Sequence, residues 1–184
     1  MKGSRCRLLV VLIFFPFLFN SCSEKQDFDQ FEDLSITPTL ASGIFYLESD
    51  EATINAAGDV GVFYVQTINF DAFNEEFVAE RLLEGTIQYE LENTTTKRIG
   101  IAIEFLDENG DVLDVESFIV EPNMPEVFTR DVFYGPGGRS IDILTTTSSL
   151  RIAVGNLSDS TSVSTTSDPK IKLSSGAEFL FRLK

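Results

Sequence analysis

The chain has no histidine and no tryptophan, and only two cysteines among its 184 residues. Without an imidazole there is no His general base, and no Ser/His/Asp or Cys/His nucleophilic site can be built. Zinc centres made from His or Cys are excluded as well, so neither a metal nor a cofactor is expected. Paired carboxylates of the kind that hydrolyse glycosides remain available on composition. Most acids, however, fall on turns or on the polar faces of strands, where their pKa values stay ordinary, and no enzyme is expected.

Long apolar runs are also scarce. The longest, Leu8 to Phe19, is broken only by Pro16. It is too short for a hydrocarbon core that needs about twenty residues. With Lys2, Arg5 and Arg7 in front of it, the run reads as the apolar region of a signal peptide over residues 1–21. Cys6 is expected to leave with that segment, so Cys22 stands alone and no intrachain disulfide can form. Stability must come from the core.

Leu18-Phe19-Asn20-Ser21-Cys22 resembles a bacterial lipobox, with the small Ser21 before the cysteine and Phe19 where Leu is usual. The resemblance implies acylation of Cys22 and a membrane held through lipid rather than through a spanning helix. Ser23-Glu24-Lys25-Gln26-Asp27, followed by Asp29, Glu32 and Asp33, makes residues 22–33 an acidic tether. It resembles the signal that exports Bacteroidetes lipoproteins to the outer surface. The implied address is the cell envelope at the outer membrane, with the periplasmic and surface faces both open.

Basic residues are few: 14 Lys and Arg stand against 29 Asp and Glu, for a net charge of −15. Loss of the three leader cations leaves 11 against 29, or −18. Such a surface repels phosphate backbones, so nucleic acid is excluded as a partner. The excess reads as solvated surface, with attraction to cations or basic partners as the other reading.

Residues 34–184 are expected to form one domain. A hydrophobic fraction of 43% with 17 Phe can supply its core. The dominant period is two, the mark of half-buried strands. Candidate strands are Gly43 to Glu48, Val60 to Asn69, Thr86 to Asn93, Ile99 to Phe105, Val112 to Val120, Val127 to Tyr134, Leu150 to Val154, Lys170 to Leu173 and Ala177 to Leu183. The polar stretch Asn93 to Lys97 joins two of them as an antiparallel hairpin. Asn109-Gly110 predicts a tight turn with both central residues at positive φ. Asp71 to Leu82 predicts a short amphipathic helix capped by Asp71, with Phe73, Phe77 and Leu82 in one apolar stripe. A further helical turn is expected over Ser140 to Leu144, and Ser158 to Asp168 reads as an exposed, mobile loop. The expected fold is mainly β, an antiparallel Ig-like β-sandwich of about eight strands with one short helix.

Asp107, Asn109 and Asp111 have the look of a calcium loop but lack a closing bidentate Glu, and turn chemistry accounts for them. Asp159-Ser160-Thr161 resembles the O-glycosylation acceptor of Bacteroidetes, which would place a glycan on Ser160. Phe63, Phe105, Phe118 and Phe128 read as core, or as the lining of a cavity if the protein binds a small ligand.

Taken with Asp27-Phe28-Asp29, Phe70-Asp71-Ala72-Phe73-Asn74, Tyr89 through Gly110, and Ile171-Lys172-Leu173-Ser174-Ser175, the chain resembles a family of flavobacterial, Bacteroidetes-type lipoproteins of unknown function. Leu91-Glu92-Asn93 through Val120 is distantly similar to Ig-like sandwiches of the late-embryogenesis-abundant type. Neither resemblance implies an activity. The expectation is a membrane-anchored, non-enzymatic binding or interaction module with a protein or glycan partner. The alternative is an accessory that binds a small apolar or carbohydrate ligand beside an outer-membrane transporter.

Overall fold

A computed structural model describes residues 36–183, apart from Val60, Asp71, Ala72, Asn74 and Pro125. The leader, Cys22 and the tether lie outside that range. Eight strands follow in chain order: β1 Thr39–Asp50, β2 Val62–Asn69, β3 Leu82–Asn93, β4 Ile99–Leu106, β5 Val112–Val120, β6 Phe128–Tyr134, β7 Ser149–Asn156 and β8 Lys170–Phe181. Three short helices interrupt them: α1 Glu51–Ala56, α2 Glu76–Ala79 and α3 Ile141–Thr146.

The strands form two four-stranded antiparallel sheets, ordered β1-β8-β3-β6 and β2-β7-β4-β5. We call these sheets A and B. Alternation decides which residues meet between them. Ile87, Tyr89 and Leu91 of β3 are buried against Ile99, Ile101, Ile103 and Phe105 of β4, Leu150, Ile152 and Val154 of β7, and Ile171, Leu173 and Phe179 of β8. The expected mainly β sandwich of eight strands is therefore present.

The strand order refines the Ig-like expectation. An Ig sandwich pairs chain neighbours within a sheet. Among the described strands, β4 and β5 are the only chain neighbours that pair, and every other connection crosses between the sheets. Such an order is that of a jelly roll.

Local readings that assumed neighbours pair are corrected accordingly. Asn93 to Lys97 does not close a hairpin, because β3 lies in sheet A and β4 in sheet B. Asn109-Gly110 does close the β4–β5 hairpin, but only Gly110 has positive φ, at 84°. Its N–H donates to Asp107 O, Asp107 N–H donates to Asp111 O, and a register shift follows at Leu106, so the turn is a bulged one. The Asp71–Leu82 helix shrinks to the single turn of α2, since Leu82 already belongs to β3. Its apolar stripe dissolves: Phe73 and Leu82 are buried, whereas Phe77 is 65% exposed beneath the Arg81 guanidinium. Asp71 itself lies outside the described residues. The turn at Ser140 is α3, with the Ser140 hydroxyl accepting from Asp142 N–H as the cap. α1 is an addition, capped by Asp50 accepting from Thr53 N–H at 2.7 Å.

Edges are blunted in two ways. β1 and β2 carry register shifts at Gly43/Phe45 and Val62/Tyr64. β5 and β6 instead turn charged side chains, Glu116 and Arg130, toward each other between the sheets. Both devices discourage pairing with another chain's strand.

Candidate functional site

Polar chemistry is concentrated at one end of the sandwich, where inner strands must leave one sheet for the other. Asn93 closes β3, and its buried amide donates to Lys97 O at 2.7 Å and Glu121 O at 3.0 Å. Its Oδ1 accepts from Thr95 N–H and the Thr95 hydroxyl. Asn156 repeats the device at the end of β7, donating to Gly58 O and Asp159 O and accepting from Ser158. Each asparagine stands in for the backbone partners that a crossing strand loses.

Lys97 is fully buried under this corner. Its Nζ donates to Asp159 O at 3.0 Å and to Ser162 Oγ at 2.7 Å, and lies 3.4 Å from Asp159 Oδ1. Glu51, the first residue of α1, is also buried. Its Oε1 accepts from Thr96 N–H at 2.6 Å and its Oε2 from Ser164 N–H at 2.7 Å. Burial raises the Glu51 pKa, but these hydrogen bonds, with the nearby Lys97 charge, bring it net below the ordinary carboxylate range. Backbone N–H groups of Ser162 and Thr161 hold the Asp159 carboxyl well below that range. Ser162 and Lys97 have the separation of a nucleophile and its base, yet three acceptors, one of them a carboxylate, surround the ammonium. These contacts fasten residues 159–162 to the corner.

A second cluster lies in the seam where the edge strands β5 and β6 face each other. Glu116 is buried at an inward position of β5, 3.3 Å from Arg130 Nη2 and in contact with Arg139. Arg139 also pairs with Asp114. Tyr89 and Tyr134 are buried nearby; the Tyr89 hydroxyl has no hydrogen-bond partner, whereas that of Tyr134 faces the Arg139 guanidinium. Burial pushes both phenol pKa values up, and the Glu116 and Asp114 charges add to the rise.

Several concavities open on the surface of the described residues. One of about 430 Å³ lies at an end of the sandwich, lined by Phe70, Phe73, Phe179 and Phe181 with Leu40 and Val78. The Phe73 and Phe179 ring centroids are 4.5 Å apart. A second, of about 280 Å³, follows the β5–β6 seam and is lined in part by Phe118, Met124, Phe128 and Arg130. A third is a trough of about 490 Å³ on the outer face of sheet A, between Gly43, Gly176, Gln88 and Asp131.

The residues singled out from the sequence do not meet in one place. Cys22 lies outside the described residues. Ser160 is half-exposed at the polar corner, and its N–H donates to Asp59 Oδ1 at 2.6 Å. The loop expected to be mobile is tied to the body through Asp159, Ser160, Ser162 and Ser164. Asp107 Oδ1 accepts from Asn109 N–H and Asp111 N–H, both at 2.8 Å, which is turn chemistry. Among the described residues no three carboxylates gather as a metal-ligand set. Phe63, Phe105, Phe118 and Phe128 line no common cavity: Phe105 is in the core, Phe118 and Phe128 border the seam, and Phe63 is half-buried on β2. Lys97, Glu51 and Glu116 escaped the sequence reading because charged residues are by default placed outside. The inward parity of Glu116, in step with Phe118 and Val120, was the one available signal.

No family model matches the chain, and no curated protein does. Solved structures with a similar arrangement include the VP2 subviral particle of infectious bursal disease virus, at 10% identity and a TM-score of 0.38 over 80% of this chain and 32% of that one. A candidate secreted protein from Parabacteroides distasonis aligns at 12% identity and a TM-score of 0.43, over 68% of this chain and 40% of that one. A Bacillus endospore appendage protein aligns at 10% identity and a TM-score of 0.31, over 78% and 89%. This chain spans about a third of the VP2 chains it matches.

Proposed function

We propose that this protein is a lipid-anchored module of the bacterial cell envelope, held at the outer membrane through Cys22, that binds a partner and performs no catalysis. The observation that carries the binding half of this reading is the contrast between buried charge and open surface. Lys97, Asp159, Glu116 and Arg139 are spent on one another or on backbone groups, as internal fastenings. The open concavities are lined by aromatic rings, glycines, amides and exposed carboxylates, the furniture of recognition. The anchoring half rests on the leader and on Ser21-Cys22.

A second reading, an accessory that takes a small apolar ligand, is favoured by the phenylalanine-lined cleft of about 430 Å³. Metabolic labelling with palmitate tests the anchor: the native protein takes up label and Cys22→Ser does not. Label retained by Cys22→Ser sinks the lipoprotein reading. Proteolysis of intact cells followed by crosslinking tests the rest, with a specific envelope neighbour as the expected product.

A further inference from the structure

The outer face of sheet A has a glycine floor. Gly43 of β1 faces Gly176 of β8, which faces Gln88 of β3, which faces Asp131 of β6. One complete row across the sheet thus lacks side chains over its first half and ends in an amide and a carboxylate. On one side runs the row Ala41, Glu178, Thr86, Phe133, and on the other the row Tyr46, Ser174, Glu90, Thr129. The trough of about 490 Å³ occupies the space above the glycines.

Two aromatic rings stand at diagonal corners of this array. Tyr46 is 62% exposed and Phe133 is 37% exposed. With ~4.8 Å between strands and ~3.4 Å per residue, their Cα atoms are about 20 Å apart. Both rings are held in place. Tyr46 OH donates to Glu48 Oε2 at 2.6 Å, and Phe133 is backed by Gly138 so closely that a Cβ there would lie 2.5 Å from ring Cδ1.

The polar lining narrows the ligand. Gln88 Nε2 donates to Asp131 Oδ1 at 3.0 Å, and no Lys or Arg borders the trough. An anion would face the Asp131 and Glu178 carboxylates with no cation to balance them. A purely apolar molecule would strip water from both carboxylates and return no hydrogen bond. A chain of neutral sugars answers both demands: its hydroxyls donate to carboxylate and amide oxygens, and its apolar ring faces lie against the aromatic rings. The glycines leave the space over β1 and β8 open to it.

We propose that this trough binds a neutral oligosaccharide along its length, with Tyr46 and Phe133 as end platforms. The inference rests on the binding-module reading above and specifies its ligand. Affinity electrophoresis of the purified protein through gels holding hydroxyethyl cellulose, laminarin, galactomannan or pullulan tests it, with glycol chitosan and polygalacturonate as charged comparisons. At least one neutral gel should retard the protein. Gly43→Val and Gly176→Val fill the floor, and the fold can accept them: a Cβ at Gly43 meets nothing within 4 Å, and one at Gly176 meets Ser42 O at 3.5 Å. Both should abolish retardation without lowering Tm. Tyr46→Ala and Phe133→Ala should each weaken it by roughly two- to tenfold. The proposal is overturned by free passage through all four neutral gels, by retardation in a charged gel alone, or by retardation unchanged in both glycine variants. Palmitate labelling and crosslinking do not depend on the trough, so its failure leaves the envelope reading standing or falling on its own.

Discussion

Replacing Lys97 should unfasten the polar corner, and two substitutions separate its charge from its stem. The side chain is fully buried and its ammonium serves Asp159 and Ser162. Lys97→Met keeps an unbranched stem and removes the donor. Hydrogen bonds to a charged group contribute about 1.5–3 kcal/mol each, and the gain from no longer burying an ammonium offsets part of that. A net loss of about 2 kcal/mol is expected. Lys97→Ala also removes about three buried chain atoms, at ~0.8 kcal/mol each, for a further loss of about 2 kcal/mol. Urea denaturation of the two variants beside the native protein measures both steps, and limited proteolysis within residues 157–169 reports whether the loop has come loose. If Lys97→Met matches native stability and leaves the loop resistant, the ammonium organises nothing and the account of the corner is wrong. If the two variants are equally stable, the stem is not packed.

Tyr89→Phe deletes a buried hydroxyl without a partner, and unsatisfied buried groups cost about 1–3 kcal/mol. The variant should keep or raise the native Tm; a fall of several degrees would show that the hydroxyl is hydrogen-bonded after all. Glu51 supplies a pH prediction. Its folded pKa lies below the unfolded one, so between the two the unfolded chain binds more protons. Its contribution is complete above the ordinary glutamate pKa and is lost as the pH falls through the folded one. Tm should therefore decline on acidification below about pH 5 less steeply in Glu51→Gln than in the native protein, and parallel profiles would refute the assignment.

How far the sequence could be read depended on whether the governing contacts were local. Period-two alternation is local, and it placed strands over β3, β4 and β5, because each buries every second residue whatever its partner. Pairing is not local. Asn93 to Lys97 has the composition of a hairpin turn, but Asn93 spends its amide on Lys97 O and Glu121 O and sends the chain to the opposite sheet. Lys170 to Leu183 looked like two strands because Ser174-Ser175-Gly176 interrupts the apolar pattern. Ser175 in fact keeps its inward place by donating to Gln88 O at 3.0 Å, and β8 runs through. The trough was out of reach for the same reason, since Gly43, Gly176, Gln88 and Asp131 become neighbours only through the register of four strands drawn from across the chain.

The jelly-roll order also bears on where a partner can attach. Each sheet leaves two edges, and in most sandwiches an edge is the simplest place to add a strand. Here the β1 and β2 edges are interrupted by register shifts, and the β5–β6 seam holds Glu116 between Arg130 and Arg139. A strand arriving at β5 would have to pair beside a buried ion cluster whose opening exposes an uncompensated charge. Strand addition is thereby disfavoured at the edges, and the faces and ends are what the fold leaves open. The two outer faces are unlike. That of sheet A has its glycine floor with Gln88 and Asp131, and its ion pairs Lys170–Glu48 and Lys172–Glu92 lie beyond the Tyr46 row; that of sheet B has a centre of Gly100, Ala102, Ala153 and Gly155 flanked by exposed Val65 and Ile119, with the Glu104–Arg151 pair beside it. A hydroxyl-rich ligand finds the Gln88 amide and the Asp131 and Glu178 carboxylates beside the glycines of the first face, while the centre of the second is small apolar residues and its Glu104 carboxylate is already paired with Arg151.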